Sequence, residues 1–200
     1  MEQKAPNPIE WLDQAGATPL VQAYFELCYL KHLYRQGWLR RGVPPERCES
    51  VADHSFGVTV LALWLARASF PTLDADKAVR MALLHELGEI YAGDITPRDG
   101  IPLEEKRRRE ADSVQRVCSK LPGGDEYIAL WEEFERGDTP EALFVRQLDR
   151  LEMGLQAAVY ERAGLAQLPE FFASARAALT DETLARLIDE VERRLPGDLA

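Results

Sequence analysis

Hydrophobic side chains recur every three or four residues along most of the chain, which is the period of an amphipathic α-helix. This period predicts a first long helix from Thr18 to about Tyr34, which Gly37 is expected to end. Its apolar side is formed by Leu20, Tyr24, Leu27, Cys28 and Leu30. No segment alternates apolar and polar residues as a half-buried strand does. The pattern therefore predicts an all-α chain of roughly six to eight helices.

Capping and breaking residues set the bounds of the other helices. Asn7 and Pro8 open a short helical turn that reaches about Gln14, and Asp74 follows the break at Pro71 as a cap. The remaining predicted helices run from about Val51 to Ser69, from Asp74 to Tyr91, from Leu103 to Leu121, from Asp125 to Arg136, from Thr139 to Arg162 and, as two helices separated near Thr180, from Leu168 to Leu195.

Length and composition are those of one globular domain, residues 1–200. The net charge of -10 argues against binding to a nucleic-acid polymer or to an anionic membrane, because both need clustered cations. The N-terminus lacks a signal-peptide pattern, and the longest uncharged apolar run, Phe56–Ala66, is too short to span a bilayer. We expect a soluble cytoplasmic protein with its three cysteines reduced.

Charged residues at the start of the Leu103 helix form the run EEKRRRE. Glu104 with Arg108, and Glu105 with Arg109, have the i,i+4 spacing of ion pairs on a solvated face. Contact between one of these cations and a phosphate is the alternative interpretation.

The segment MALLHELGEIYAGD, residues 81–94, combines an apolar helix with a cluster of metal-type ligands. In a helix His85 and Glu89 share a face, Glu86 leans toward Glu89, and Asp94 follows a glycine. Burial of these groups is unfavourable without compensation, and a divalent cation is the simplest compensation. A hydrogen-bonded core histidine with solvated glutamates explains the same segment equally well.

Three motifs in order, ESVADHS around His54, ALLHELGEIYAGDI, and FVRQLDRLEM around Asp149, resemble the HD-domain metal-dependent phosphohydrolases and in particular their 5'-deoxynucleotidase branch. The resemblance covers about Tyr34 to Tyr160. It implies an all-α HD-domain fold whose core spans about 34–160, with C-terminal helices at 168–195 packed on it.

The same resemblance implies a metal held by His54, His85, Glu86 and Asp149. Imidazoles and carboxylates suit Mn, Co, Fe, Zn, Ni or Mg, and the motifs do not choose among these ions. Glu89 and Asp94 match the acids that assist catalysis in this branch. These two acids, together with the backbone at Ile95, are also a possible site for a second cation.

Two departures from the family pattern affect these expectations. The residue after His85 is Glu86 where the family has aspartate, so the carboxylate reaches one methylene further. In the branch an arginine and a tryptophan bind the nucleotide. Trp38 matches the tryptophan, and because Gly37 precedes it the arginine is assigned to Arg35, with Arg40 and Arg41 as alternatives.

The expected function is metal-dependent hydrolysis of deoxyribonucleoside 5'-monophosphates to a deoxynucleoside and phosphate. Alternatives are a catalytically weakened nucleotide- or metal-binding module, a phosphohydrolase of another nucleotide, and a two-iron oxygenase that would need further ligands. The branch also implies a homodimer. The third histidine, His32, lies outside every motif and is expected to be structural.

Overall fold

Helices form all of the regular elements in the computed structural model, which describes residues 1–13 and 15–193. The α-helices are α1 (Pro19–Leu27), α2 (Gln36–Leu39), α3 (Val51–Ser69), α4 (Ala75–Leu84), α5 (Glu89–Ala92), α6 (Leu103–Cys118), α7 (Gly124–Arg136), α8 (Pro140–Arg162), α9 (Pro169–Ala178) and α10 (Glu182–Glu192). Short 3₁₀ helices occupy Pro8–Trp11, Cys28–Lys31, Pro45–Arg47 and Pro97–Asp99. The all-α prediction is confirmed.

The long helix α8 lies at the centre and packs against α3, α4, α7, α9 and α10. Thr139 caps it by accepting a hydrogen bond from the backbone of Ala142, and Pro140 occupies its first position. Phe144, Leu148 and Leu151 form its buried stripe and lie about one helical turn apart. This helix carries Asp149 on the edge of the stripe.

Helix α3 begins and ends at the predicted residues, and its start is encoded by a local cap. The Ser50 hydroxyl accepts from the backbone of Asp53, whose carboxylate in turn accepts from the Ser50 backbone. Small buried residues, Ala62 and Ala66, allow α4 to pack closely along the same helix. His54 lies one turn after the cap and is fully buried.

The first long helix is shorter than predicted, and its apolar side was assigned wrongly. Helix α1 ends at Leu27, a 3₁₀ turn follows, and Gly37 lies inside α2 rather than ending α1. Backbone hydrogen bonds from Val51 to Leu33 and from Arg35 to Glu49 hold this segment against the start of α3. The faces that α1 buries carry Ala23 and Glu26, whereas the predicted stripe is exposed at Leu20, Tyr24 and Leu27.

The predicted helix through His85 to Tyr91 is also interrupted. Helix α4 ends at Leu84, and the backbone N–H groups of Leu87 and Glu89 bond three residues back, to Leu84 and Glu86. The His85 carbonyl accepts instead from the indole of Trp131, at 3.2 Å. A tertiary hydrogen bond therefore replaces the helical one, and residues 85–88 form a tight turn.

The C-terminal helices α9 and α10 pack on α8. Residues 194 and 195 of the predicted segment 168–195 lie outside the described part. On α6 the predicted pair Glu105–Arg109 forms at 2.7 Å. Arg108 pairs with Glu105 and Asp112 rather than with Glu104, because Nε and Nη2 of its guanidinium bond to both oxygens of Glu105 and Nη1 reaches Asp112. None of the described helices is long and apolar enough to cross a membrane.

Candidate metal centre

Four side chains from three parts of the fold converge beneath a cavity. They are His54 of α3, His85 and Glu86 of the turn after α4, and Asp149 of α8. One ligand atom from each lies within 4.8 Å of the others, which is a spacing that a single metal ion can bridge. These are the four residues predicted as metal ligands, and the fold brings them together.

His54 is held between two carboxylates. Its Nδ1 lies 2.6 Å from Glu152 Oε2, and its Nε2 lies 3.1 Å from Asp149 Oδ1. Burial lowers the pKa of His54, but the hydrogen bonds with Asp149 and Glu152 outweigh burial and raise the pKa to about 10. A metal ion bound to Nε2 would take the place of the proton shared with Asp149.

His85 presents an unpartnered nitrogen to the same point. Its Nδ1 lies 2.7 Å from the carbonyl of Ala82, so Nδ1 carries the proton and Nε2 carries the lone pair. Nε2 is buried without a hydrogen-bond partner, and its neighbour Glu86 Oε1 is 3.8 Å away. Burial lowers the pKa of His85, which keeps the ring neutral as a metal ligand must be.

The two carboxylates of the cluster are held in the charged form. Burial raises the pKa of Asp149, but the hydrogen bond from His54 outweighs it and the net shift is downward. Burial likewise opposes the charge on Glu86, and the nearby His85 and Arg35 reverse the effect and lower its pKa. The donor set is therefore two imidazoles and two anionic carboxylates, which suits a divalent transition ion.

Three further charged groups lie beside this cluster. Arg35 Nη1 is 3.1 Å from Glu86 Oε1 and 3.0 Å from Asp94 Oδ1, and Asp94 also accepts from the backbone N–H of Gln36. Glu89 is 3% exposed, its Oε1 lies 4.0 Å from Arg35, and its Oε2 has no hydrogen-bond partner. Burial and the charges of Glu86 and Asp94 raise the pKa of Glu89 well above its ordinary value.

The cavity above these groups has a volume of about 1080 Å³. Its acidic floor includes Glu86, Glu89 and Asp94. Basic side chains that line it are Arg35, Arg40, Arg41, Arg98, Lys106, Arg107, Arg146 and Arg150. The lining also holds Glu110, Glu135, Asp149 and Glu170, so basic and acidic side chains nearly balance around the cavity. In a chain with a net charge of -10 the cavity is therefore less negative than the molecule as a whole.

Trp38 lines the cavity but is 2% exposed. Its indole N–H donates to Glu49 at 2.7 Å, and its ring packs against Phe171 with centroids 4.1 Å apart. Arg40 and Arg41 point to the rim, where they pair with Asp99 and with Glu170. Among the three candidate arginines, Arg35 is the one in contact with the carboxylates at the floor.

Sequence reasoning missed Glu152, which binds the back of His54. Its position three residues after Asp149 places both carboxylates on one face of α8, and this i,i+3 spacing was the available signal. His32 lies against Trp11 and the carbonyl of Pro6, and it is not among the residues that line the cavity.

These observations define an all-α protein with a two-histidine, two-carboxylate constellation under a cavity lined by both basic and acidic side chains. A family model described as HD domain matches residues 28–192. The chain belongs to the HD domain family.

Curated relatives and solved structures agree with this assignment. The 5'-deoxynucleotidase HDDC2 of Bos taurus is 35% identical, over 97% of this chain and 94% of the relative. The crystal structure of PH0347 from Pyrococcus horikoshii is 33% identical, covers 86% of this chain and 98% of its own, and superimposes with a TM-score of 0.72. A predicted metal-dependent phosphohydrolase from Magnetospirillum magnetotacticum is 27% identical, with coverages of 88% and 95% and a TM-score of 0.65.

Proposed function

We propose that the protein is a metal-dependent phosphohydrolase that converts deoxyribonucleoside 5'-monophosphates into a deoxynucleoside and phosphate. The activity is that of the 5'-deoxynucleotidases to which the chain is similar over most of its length. The observation that carries the proposal is the buried Nε2 of His85, which has no partner and lies within reach of three other ligand atoms. A lone pair in that position is explained by a cation.

The proposed metal ligands are His54, His85, Glu86 and Asp149. Their donor set accepts Mn, Co, Fe, Zn, Ni or Mg. When bound there, a divalent cation would attract the phosphoryl oxygens and increase the acidity of water.

Glu89 is the proposed residue that orients or deprotonates the attacking water. Both oxygens of Asp94 are engaged, one by Arg35 and the other by the Gln36 backbone, whereas Glu89 Oε2 is free. In hydrolysis the water oxygen bonds to phosphorus, the bond from phosphorus to O5' breaks, and the sugar oxygen takes a proton. Asp94, whose two oxygens accept from Arg35 and from the Gln36 backbone, is the proposed residue that holds the guanidinium in place, and the proton that Glu89 takes from the water is the one that the sugar oxygen receives.

A second cation site is proposed from Glu89, Asp94 and the backbone at Ile95. All three residues line the cavity beside the first cluster. Carboxylate and carbonyl oxygens suit Mg, which would add positive charge near a bound phosphate.

Arg35 and Trp38 are the proposed nucleotide-binding residues. Arg35 places a guanidinium at the floor of the cavity, where it can bind phosphate oxygens. The indole of Trp38 is covered by Phe171, so we propose that Trp38 acts by shaping the wall near the sugar rather than by stacking on a base.

A second candidate, a nucleotide- or metal-binding module with little turnover, is favoured by the position of Glu86. Its longer side chain brings Oε1 to 3.1 Å from Arg35, and this ion pair competes with phosphate for the guanidinium. Replacement by aspartate would shorten the reach by one methylene. Glu86→Asp therefore separates the two candidates.

The test is phosphate release from deoxynucleoside and ribonucleoside 5'-monophosphates, diphosphates and triphosphates, with Mn²⁺, Co²⁺ or Mg²⁺. The proposal expects turnover of deoxynucleoside monophosphates and a loss of about 10²- to 10⁴-fold in kcat for Glu89→Gln. Glu132→Gln, on the exposed side of α7, is the matched control. A silent wild type that Glu86→Asp awakens would establish the binding-module candidate instead.

Four broader proposals accompany this function. The whole chain acts as one domain, supported by the packing of α9 and α10 on α8. The chain forms a homodimer, supported by the exposed apolar side chains Phe56 and Trp64 of α3. The protein acts in the cytoplasm, supported by its free cysteines. Its partner is a small nucleotide rather than a nucleic-acid polymer. Light scattering on the purified protein tests the dimer.

A further inference from the structure

We infer that Glu152 is a positioning residue that fixes His54 so that Nε2 faces the metal ion. Gly57 leaves the space that the Glu152 side chain occupies. This inference rests on the proposed function, since it concerns the ligand set that would hold the metal. It adds Glu152 and Gly57, neither of which is a proposed metal ligand, to the residues that build the site.

Each of the two ring nitrogens of His54 lies beside a carboxylate of α8. Glu152 Oε2 lies 2.6 Å from Nδ1, and Asp149 Oδ1 lies 3.1 Å from Nε2. An ionised carboxylate only accepts hydrogen bonds, so Glu152 requires the proton to be on Nδ1. In a neutral ring Nε2 then carries the lone pair, and that atom faces Asp149 and Glu86.

Glu152 is itself held firmly enough to perform this role. It is 8% exposed and belongs to the rigid central helix α8, three residues after Asp149. A carboxylate bonded to the far nitrogen of a ligating histidine fixes the tautomer and the ring orientation, and it raises the basicity of the ligand. Loss of such a group typically weakens metal binding by about 10- to 100-fold.

Gly57 supplies the independent observation. It lies inside α3, one turn after His54, where glycine is among the least favourable residues. A Cβ at this position would lie 2.6 Å from Glu152 Oε1 and 3.0 Å from Glu152 Cγ. The absence of a side chain at position 57 is thus what admits the Glu152 carboxylate beside His54.

The first experiment measures binding of Co²⁺ and Mn²⁺ alone by titration calorimetry. Glu152→Ala is expected to raise the Kd by about 10- to 100-fold. Glu152→Gln keeps the length and one acceptor oxygen, so a smaller loss is expected from this conservative variant. Glu132→Gln on α7 should bind as the wild type does. A Kd for both Glu152 variants within twofold of the wild-type value would overturn the inference.

The second experiment uses Gly57→Ala, which changes no ligand and no charge. It should weaken Co²⁺ binding by displacing Glu152, and it should cause no further loss in the Glu152→Ala background. Such non-additivity in a double-mutant cycle is the signature of two residues that act through one contact. Equal losses from Gly57→Ala in both backgrounds would contradict the inference.

The third experiment observes the tautomer of His54 directly. The chain has three histidines, so few signals need to be distinguished. In ¹⁵N NMR of the Zn²⁺-loaded protein, Glu152→Gln should shift Nδ1 of His54 and leave His32 unchanged. An unchanged His54 signal would contradict the role of Glu152. A wild type that binds no metal would overturn this inference together with the proposed function. A wild type that binds and hydrolyses, with Glu152 variants that bind equally well, would overturn this inference alone.

Discussion

Gly88 joins the metal-site turn to α5, and its replacement by alanine tests whether close packing against α6 holds that turn in place. The backbone at Gly88 has φ -58° and ψ -30°, which alanine adopts without strain. A Cβ there would lie 2.6 Å from Glu110 Cβ and 3.1 Å from Glu110 Cα. The whole effect of Gly88→Ala should therefore come from steric overlap with α6.

Carbon atoms in contact are normally about 3.5–4.0 Å apart, so α6 or the turn must move by roughly 1 Å. Overpacking of this kind costs about 1–3 kcal/mol. For a chain of this size the cost corresponds to a fall in Tm of roughly 2–12 °C. Because His85, Glu86 and Glu89 are all within three residues, turnover should fall by about 10²-fold as well.

The assay is thermal unfolding by circular dichroism, followed by phosphate release from a deoxynucleoside monophosphate. Gly16→Ala is the matched control, because a Cβ at Gly16 meets no heavy atom within 4 Å. Gly88→Ala is expected to melt well below Gly16→Ala. If the two variants have the same Tm and the same turnover, the contact between the turn and α6 does not position the site.

Burial raises the pKa of Glu110 from 4.5 to about 7, so its contribution to stability is complete below pH 4.5 and is lost as pH rises through 7. In urea unfolding the free energy of unfolding should fall by about 3 kcal/mol over this pH range, and Glu110→Gln should remove that fall. Mn²⁺ at one hundred times its Kd should stabilise the wild type by about 3 kcal/mol, a rise in Tm that a chelator reverses and that His85→Ala lacks. Trp38→Phe leaves half-buried Glu49 without its 2.7 Å donor and should cost about 1 kcal/mol in denaturant unfolding, whereas an unchanged midpoint would refute the structural role of that hydrogen bond.

Helix bounds were predictable where the sequence itself encodes the cap. Ser50 and Asp53 for α3, and Thr139 with Pro140 for α8, are local signals that need no tertiary partner. These two helices carry His54 and Asp149, so half of the proposed ligand set lies on elements that local pattern defines.

The remaining features depend on partners that are distant in sequence. The His85 carbonyl bonds to Trp131, which converts a predicted helix into a turn, and the segment around Arg35 is held by backbone contacts with Glu49. No sequence pattern predicts that Glu26 is buried. Its buried carboxylate is compensated by Lys120, whose Nζ lies 2.8 Å away. Such long-range contacts leave no periodic signal in the chain.

Anomalous scattering from crystals soaked in Mn²⁺ or Co²⁺ would locate the ion. We expect one strong peak among His54 Nε2, His85 Nε2 and the carboxylates of Glu86 and Asp149, with Glu152 still bonded to His54 Nδ1. A map with no peak at that position, or with the ion bound by other side chains, would refute the proposed metal site.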